Sequence, residues 1–331
     1  MRVLLTGATG FLGGRVALAL ADGGHALTLL ARRPGALGPL PAGVTAVQGD
    51  MLDAASLSRA LDGCDALVHC AALVKRWARD RSEFDRVNVE ATDRLFDLAL
   101  ERRVVRIVYC SSFIALGPTD GTTGDEDTVH DGRPRNDYER TKRLSDTHAR
   151  ARQALGEPLV VVYPGVVYGE GRLTDGNILA GAARDLLRGR FPGTVGPGDR
   201  RQCLACADDV ARGFALALEH ARPGSRYVLG GENVTVREVV DLIAAAGGVR
   251  APRRAIPYGV AAVLGRLLRW QAGVTGIAPL LTDEEVEIYR HEWAYSSARA
   301  ERDLGYTVTP ARAGIERMVR WLQDAKLVPA R

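Results

Sequence analysis

The sequence predicts an α/β protein: a doubly wound parallel sheet followed by a smaller, C-terminal substrate-binding part. Three observations carry that expectation. Short apolar runs alternate with helix-period patterns through the first half of the chain. The first run, Arg2–Thr6, is followed at once by Gly7, Gly10 and Gly13 at three-residue spacing. Beyond Glu170 the alternation loosens, and glycine and proline crowd together between Gly189 and Gly198. With 331 residues, 46% of them hydrophobic, the chain is long enough to bury the core this requires.

Arg2–Thr6 reads as a buried strand and 11–21 as a helix, so the glycines form the turn between them. A helix start presents unpaired N–H groups and the positive end of the helix dipole, and glycines let an anion approach the backbone. Gly7, Thr9, Gly10, Phe11, Leu12 and Gly13 are therefore expected around the pyrophosphate of a dinucleotide. The second strand, Ala26–Ala31, ends in Arg32 and Arg33, where a site preferring NAD would carry an acid. Arg32 suits the extra phosphate of NADP, so NADP(H) is favoured, with NAD(H) the alternative.

A third strand over 44–47 leads to Asp50 and Met51; Asp50 reads either as an adenine contact or as a turn cap. Asp53 is the predicted cap of a helix running through Leu61. After the fourth strand, Ala66–His69, the small residues Cys70, Ala71 and Ala72 let the backbone pass close to a cofactor. A helix over 84–101 contains Asn88, and a strand over 104–110 delivers Ser111 and Ser112 to the strand end, where such sheets bind ligands. A polar loop over 117–137 precedes a helix that opens at Tyr138 and runs through about Ala154. The strand over 159–162 comes next, followed by Pro164 and Gly165.

In the second half, helices are predicted over 209–218, over 235–246 with Thr235 as cap, and over 310–323. The segment 286–293 reads as core. The apolar stretch 257–281 is interrupted by Arg266 and Arg269 and has no uncharged run of membrane-spanning length. It reads as a helical lid over the substrate pocket, or else as a membrane-surface contact, with no stable membrane insertion.

A net charge of +4 and a pI of 8.9 are mildly basic, but the basic residues are scattered among acids, which argues against nucleic acid as a partner. The N-terminal run belongs to the glycine turn and has neither a basic leader nor a cleavage site, so a cytoplasmic protein is expected. Five cysteines, Cys64, Cys70, Cys110, Cys203 and Cys206, are read as reduced, buried thiols. The Cys203/Cys206 pair lacks the further ligands of a zinc site, so no metal is expected.

Tyr138 and Lys142 carry the sharpest chemical signal. Four residues apart on a helix, they share a face, and an ammonium near a phenol lowers the phenolic pKa and makes tyrosine a proton donor and acceptor near neutrality.

TGATGFLG at 6–13, Ser111 with Ser112, the YxxxK of 138–142 and Asn88 together resemble the extended short-chain dehydrogenase/reductase family, within the NAD-dependent epimerase/dehydratase superfamily. ADDVA at 207–211, YVLGGEN at 227–233 and ERDLGY at 301–306 extend the likeness over nearly the whole chain. In look it is nearest to the dihydroflavonol-reductase-like and hopanoid-associated epimerase-like groups. The resemblance implies a Rossmann-type domain over 1–165, rejoined by 202–230, with 166–201 and 231–331 mainly forming the substrate-binding part. It implies that Tyr138 is the general acid/base, that Lys142 binds the nicotinamide ribose, that Ser112 bonds the substrate oxygen and that Asn88 completes a proton relay. Pro164, Gly165, Val166 and Val167 would lie beside the nicotinamide. A homodimer through the helices of Asn88 and Tyr138 is also implied.

Two departures bear on the substrate. Tyr163 and Val166 stand where nucleotide-sugar members carry arginine and asparagine, while Arg201 stands where some relatives bind phosphate. The favoured reading is hydride transfer to the ketone, or from the alcohol, of a small or lipid-like molecule. The alternatives are a nucleotide-sugar epimerase or dehydratase and a dinucleotide-sensing protein without activity.

Overall fold

A strand buried on both faces must be apolar throughout, and β1 (Arg2–Thr6) meets that condition, with Val3, Leu4 and Leu5 fully buried. It lies inside the principal sheet of the computed structural model, which describes residues 1–38, 40–130 and 132–329. Asp131, in the polar loop, and the last two residues of the predicted substrate-binding part lie outside the described residues. After the glycine turn, α1 (Phe11–Asp22) leads to β2 (Ala26–Ala31), parallel to β1 from Arg2 opposite Ala26 to Thr6 opposite Leu30. β3 (Val44–Gln48) pairs outside β2. The chain then crosses through α2 (Ala54–Leu61) to β4 (Ala66–His69), which pairs with the other side of β1. The winding direction reverses between β1 and β4, and a reversal opens a crevice at the carboxyl ends of the strands.

The helix predicted over 84–101 is three consecutive pieces: α3 (Ser82–Asp85), a π-helical turn at Arg86–Glu90 and α4 (Ala91–Glu101). β5 (Arg106–Cys110) begins two residues later than its apolar pattern suggests. The Val104 amide bonds back to Ala99 and closes the helix, while Val105 is exposed. α5 (Asp137–Ala154) is capped by Asn136, so it begins one residue before Tyr138. β6 (Leu159–Pro164) is buried along its whole length and pairs with β5.

β7 (Val166–Tyr168) departs from the main sheet after Gly165. α6 (Ile178–Leu187), β8 (Thr194–Val195) and β9 (Arg201–Cys206) follow. α7 (Ala207–His220) leads to β10 (Arg226–Leu229), which returns to the main sheet beside β6. The remaining elements are β11 (Asn233–Thr235), α8 (Val236–Ala246), β12 (Ala255–Ile256), α9 (Tyr258–Thr275), α10 (Asp283–Tyr289), α11 (Ala298–Leu304) and α12 (Ala311–Asp324). Thr235 caps α8 with a reciprocal Glu238 bond, as its sequence predicts.

The main sheet is parallel throughout, in the order β10-β6-β5-β4-β1-β2-β3. Alternating side chains of each strand feed two cores. Val3 and Leu5 pack with Val16 and Phe214 on one face, while Leu4 joins Leu95, Phe96 and Tyr109 on the other. A smaller sheet, β11-β9-β7, supports a third core with α6, α8 and α12.

Candidate active site

The glycine turn lies at the carboxyl end of β1. Gly7 has φ +82°, and a Cβ on it would stand 2.6 Å from the Ala71 nitrogen, so only glycine lets the turn lie against the segment after β4. Gly13 packs onto the turn itself, where a Cβ would meet the Gly7 carbonyl oxygen at 2.2 Å. At Gly10 that same oxygen, at 3.2 Å, is all a Cβ would meet, so protein packing leaves this position open. α1 has no side-chain cap and no acid in its first turn, whereas α2, α5, α8 and α10 are each capped by a side chain. Unpaired amides beside bare backbone fit a pyrophosphate. Thr9 lies in the turn. Phe11 and Leu12 offer it backbone only, because the Phe11 ring is buried against Gly169 and Gly171 and Leu12 packs on the core.

Arg32 follows β2, is exposed, and has no hydrogen-bond or ion-pair partner among the described residues. Asp50 adopts the turn-capping role, its carboxylate accepting from the Leu52 amide at 3.0 Å, while Met51 packs on the core. After β4, Cys70 and Ala71 run beside Gly7, and the Ala71 amide donates to Thr6 Oγ1 at 3.3 Å. Ala72 precedes Leu73, whose amide donates to Asn88 Oδ1 at 2.7 Å. Pro164 ends β6; the Gly165 amide donates to Leu229 at 3.2 Å, and Val166 and Val167 open β7.

α5 brings Tyr138 and Lys142 to the same crevice. Its start is fixed by Asn136, which accepts from the Glu139 amide at 2.8 Å. Buried Glu139 ties down the preceding loop, accepting from His130 Nε2 at 2.6 Å and from the Arg135 guanidinium at 2.7 Å. Lys142 is buried; its Nζ donates to the Cys110 carbonyl at 2.8 Å and lies 5.3 Å from the Tyr109 ring centre. Ser112, just past β5, lies close enough to the Tyr138 phenol to influence it, and its hydroxyl accepts from the Ile114 amide at 3.4 Å. The Ser111 hydroxyl instead donates to Asp146 at 3.1 Å. Asn88 sits in the π-helical turn, where an extra residue per turn re-aims the side chain. Its amide nitrogen donates to the Leu73 carbonyl at 3.2 Å and to Thr141 Oγ1 at 3.1 Å. Asn88 thus braces the segment after β4 against α5, and none of these partners is Tyr138, Lys142 or Ser112.

The electrostatics correct one expectation. Burial, and then the influence of Cys110, pushes the Tyr138 phenol well above its usual value, and the nearby Ser112 hydroxyl offsets only part of this. Burial likewise lowers Lys142, whose ammonium is engaged with the Cys110 carbonyl. Cys70 and Cys110 are a second correction: Cys64, Cys203 and Cys206 are buried as expected, but these two are only partly so. Their thiols lie near one another, both free. The neighbouring Cys70 thiol and then Lys142 hold Cys110 below its usual value, while burial pushes Cys70 up.

Sequence patterns gave no sign of three further residues. Arg172 reaches back from the second half of the chain to the glycine turn, donating to the carbonyls of Thr9, at 3.1 Å, and Ala36. His69 lies buried below the crevice, between Thr6 and Thr92. Glu292 holds Arg201 by two bonds, at 2.8 and 3.2 Å, and Arg201 also donates to the Thr122 carbonyl at 3.0 Å. In an arginine-rich chain no single arginine stands out, and these partners are distant in sequence. Tyr163, fully buried in β6, stacks near Arg150 of α5. The concavity bounded by Met1, Arg2, Asp65 and Arg102 is at the amino ends of the strands, the far end from Tyr138.

Comparison with known proteins agrees with this geometry. The model of the NAD dependent epimerase/dehydratase family matches residues 3–230. Sterol demethylase protein B of Methylococcus capsulatus is 29% identical, over 99% of this chain and 100% of its own length. A 3 beta-hydroxysteroid dehydrogenase/Delta 5-->4-isomerase of Mycobacterium tuberculosis is 28% identical, over 92% of this chain and 85% of its own. The crystal structure of gox2253 superimposes with a TM-score of 0.83 at 30% identity, covering 99% of both chains.

Proposed function

Since the chain belongs to the NAD dependent epimerase/dehydratase family and is an NAD(P)-dependent enzyme, we propose that it interconverts a ketone and an alcohol on a small, lipid-like substrate with NADP(H). The observation that carries the proposal is the gathering of the Tyr138 and Ser112 hydroxyls with buried Lys142 at the carboxyl ends of the strands. Gly7, Gly10 and Gly13 would hold the pyrophosphate and Arg32 the 2′-phosphate, and the bound dinucleotide would supply or accept the hydride.

The chain's own groups handle the oxygen. Ser112 donates to the substrate oxygen and orients it. Tyr138 passes its proton to that oxygen as negative charge develops there, and Lys142 stabilises the phenolate left behind. A phenol pushed upward by burial stays protonated at neutral pH, which suits it to act as an acid in the reducing direction. Asn88 is a positioning residue that keeps the segment after β4 in register with α5. A homodimer through α4 and α5 belongs to the same proposal.

Two facts favour a lipid-like substrate over a nucleotide sugar. Two relatives are named for sterol or steroid chemistry, and Arg201 is engaged by Glu292. The test is NADPH oxidation against a panel of steroid, alkyl and aromatic ketones, with Tyr138→Phe alongside. The variant should lose about 10²- to 10⁴-fold in turnover while binding NADPH as before. Conversion of a UDP-sugar without net cofactor consumption would overturn the proposal in favour of epimerisation.

A further inference from the structure

Only one face of α9 is held by the protein. Ala261, Gly265 and Ala272 are buried, and a Cβ on Gly265 would lie 2.5 Å from the Asp283 nitrogen, so the helix rests directly on the start of α10. On the other side Val260, Val263, Leu267, Trp270 and Val274 follow the three- and four-residue spacing of a single stripe, each between 59% and 72% exposed. Leu280 continues it past the helix end at 84% exposure. Apolar side chains exposed singly are ordinary, but a continuous stripe marks a docking face.

Its charge identifies the occupant. From Leu242 to Thr282 the sequence holds five arginines and no aspartate or glutamate, the acids Asp283, Glu284 and Glu285 following at the base of the helix, while the whole chain carries only +4. Arg269 is paired with Asp283 and Glu284, and Arg266, 3.7 Å from Asp283, keeps its side chain 73% exposed. Two more exposed arginines come from the segment after β4. Arg76 donates to the Leu280 carbonyl at 2.6 Å and is paired with Glu285 at 3.6 Å, and Arg79 lies against Gly276. A second copy of the chain is a poor occupant. A helix of 18 residues is about 27 Å long and about 10 Å wide, so self-contact would bury on the order of 500 Å², about half of what a stable interface needs. It would also set like charge against like.

We propose that this face docks on an anionic lipid surface. The aliphatic stripe enters the boundary between headgroups and acyl chains, Trp270 sits at headgroup level, and the arginines meet the lipid phosphates. No described helix is long and apolar enough to cross a membrane, so the attachment is peripheral. Through Arg76 the docked face adjoins the segment that Asn88 braces beside the crevice. The inference extends the lipid-like substrate reading by stating where that substrate is met, yet the stripe and its charge stand without that reading.

The test uses the full chain with vesicles of phosphatidylglycerol and phosphatidylcholine, without substrate or cofactor, so a failed reductase assay leaves its outcome untouched. Co-sedimentation should be about tenfold stronger on anionic vesicles than on pure phosphatidylcholine and should weaken with salt. Leu267→Glu combined with Val274→Glu should reduce it by about tenfold or more at an unchanged melting temperature, since both side chains are exposed. If that variant is unstable, quenching of Trp270 by brominated lipid in the unaltered protein, read against Trp270→Phe, supplies the same answer. No binding, equal binding to neutral vesicles, equal binding by the double variant, no quenching, or a dimer that the double variant abolishes would each overturn the proposal.

Discussion

Acidification from pH 7 to pH 5 should cost this fold about 2 kcal/mol through one side chain, His69. Its ring is 1% exposed, with Nδ1 2.7 Å from Thr6 Oγ1 and Nε2 3.0 Å from Thr92 Oγ1. Burial, and then the positive charge of Lys142, pushes its pKa down to about 3. In the unfolded chain the same imidazole titrates near ~6.5. A histidine held neutral by folding stabilises fully above the unfolded value, and that contribution is lost as pH falls from the unfolded toward the folded value. At pH 5 the unfolded state is favoured by about 1.5 pH units of proton binding, at about 1.4 kcal/mol per unit. The assay is urea unfolding at both pH values, for the unaltered protein and for His69→Gln. Other carboxylates and histidines titrate in both proteins, so the difference between the two pH responses isolates His69. The unaltered protein should lose about 2 kcal/mol more than the variant. Equal losses, or an imidazole resonance of His69 titrating near neutrality, would refute the reasoning.

Three other outcomes follow from the site. Gly13→Ala puts a methyl group 2.2 Å from the Gly7 carbonyl oxygen, so calorimetry should show a lower melting temperature and titration should show dinucleotide binding lost; unimpaired binding would remove the turn from the site. Arg32→Ala should weaken NADPH by about tenfold or more and NADH little, as expected for one lost charge-assisted contact, and equal weakening would refute the NADP assignment. Because the Tyr138 phenol is raised, ketone reduction should stay level through neutral pH, while alcohol oxidation, which needs the phenolate, should climb into the alkaline range. An oxidation rate already level at pH 7 would show that the phenol is not raised.

Local chemistry was legible in the sequence. A strand–glycine–helix junction, the Asp53 and Thr235 caps and the four-residue interval from Tyr138 to Lys142 depend on neighbours in the chain, and each was readable from a short window. What escaped depends on partners far away. The π-helical turn at Arg86–Glu90 makes sense only once Asn88 is seen between Leu73 and Thr141. Arg201 looked free to bind phosphate because Glu292, its partner, lies on another segment. The phenolic pKa escapes for the same reason: helical spacing reports the nearness of an ammonium, whereas the desolvation of half-buried Tyr138 and buried Lys142 comes from the folded sheet.

The reach of Arg172 to Thr9 and Ala36 has a mechanical consequence. One guanidinium clasps two loops on the nucleotide side of the crevice while its own backbone belongs to the segment that follows β7. Any shift of the turn around a bound phosphate therefore tugs directly on the Glu170 to Arg172 corner, and movement of that corner strains the turn in return. The two walls of the crevice are hinged together at this point.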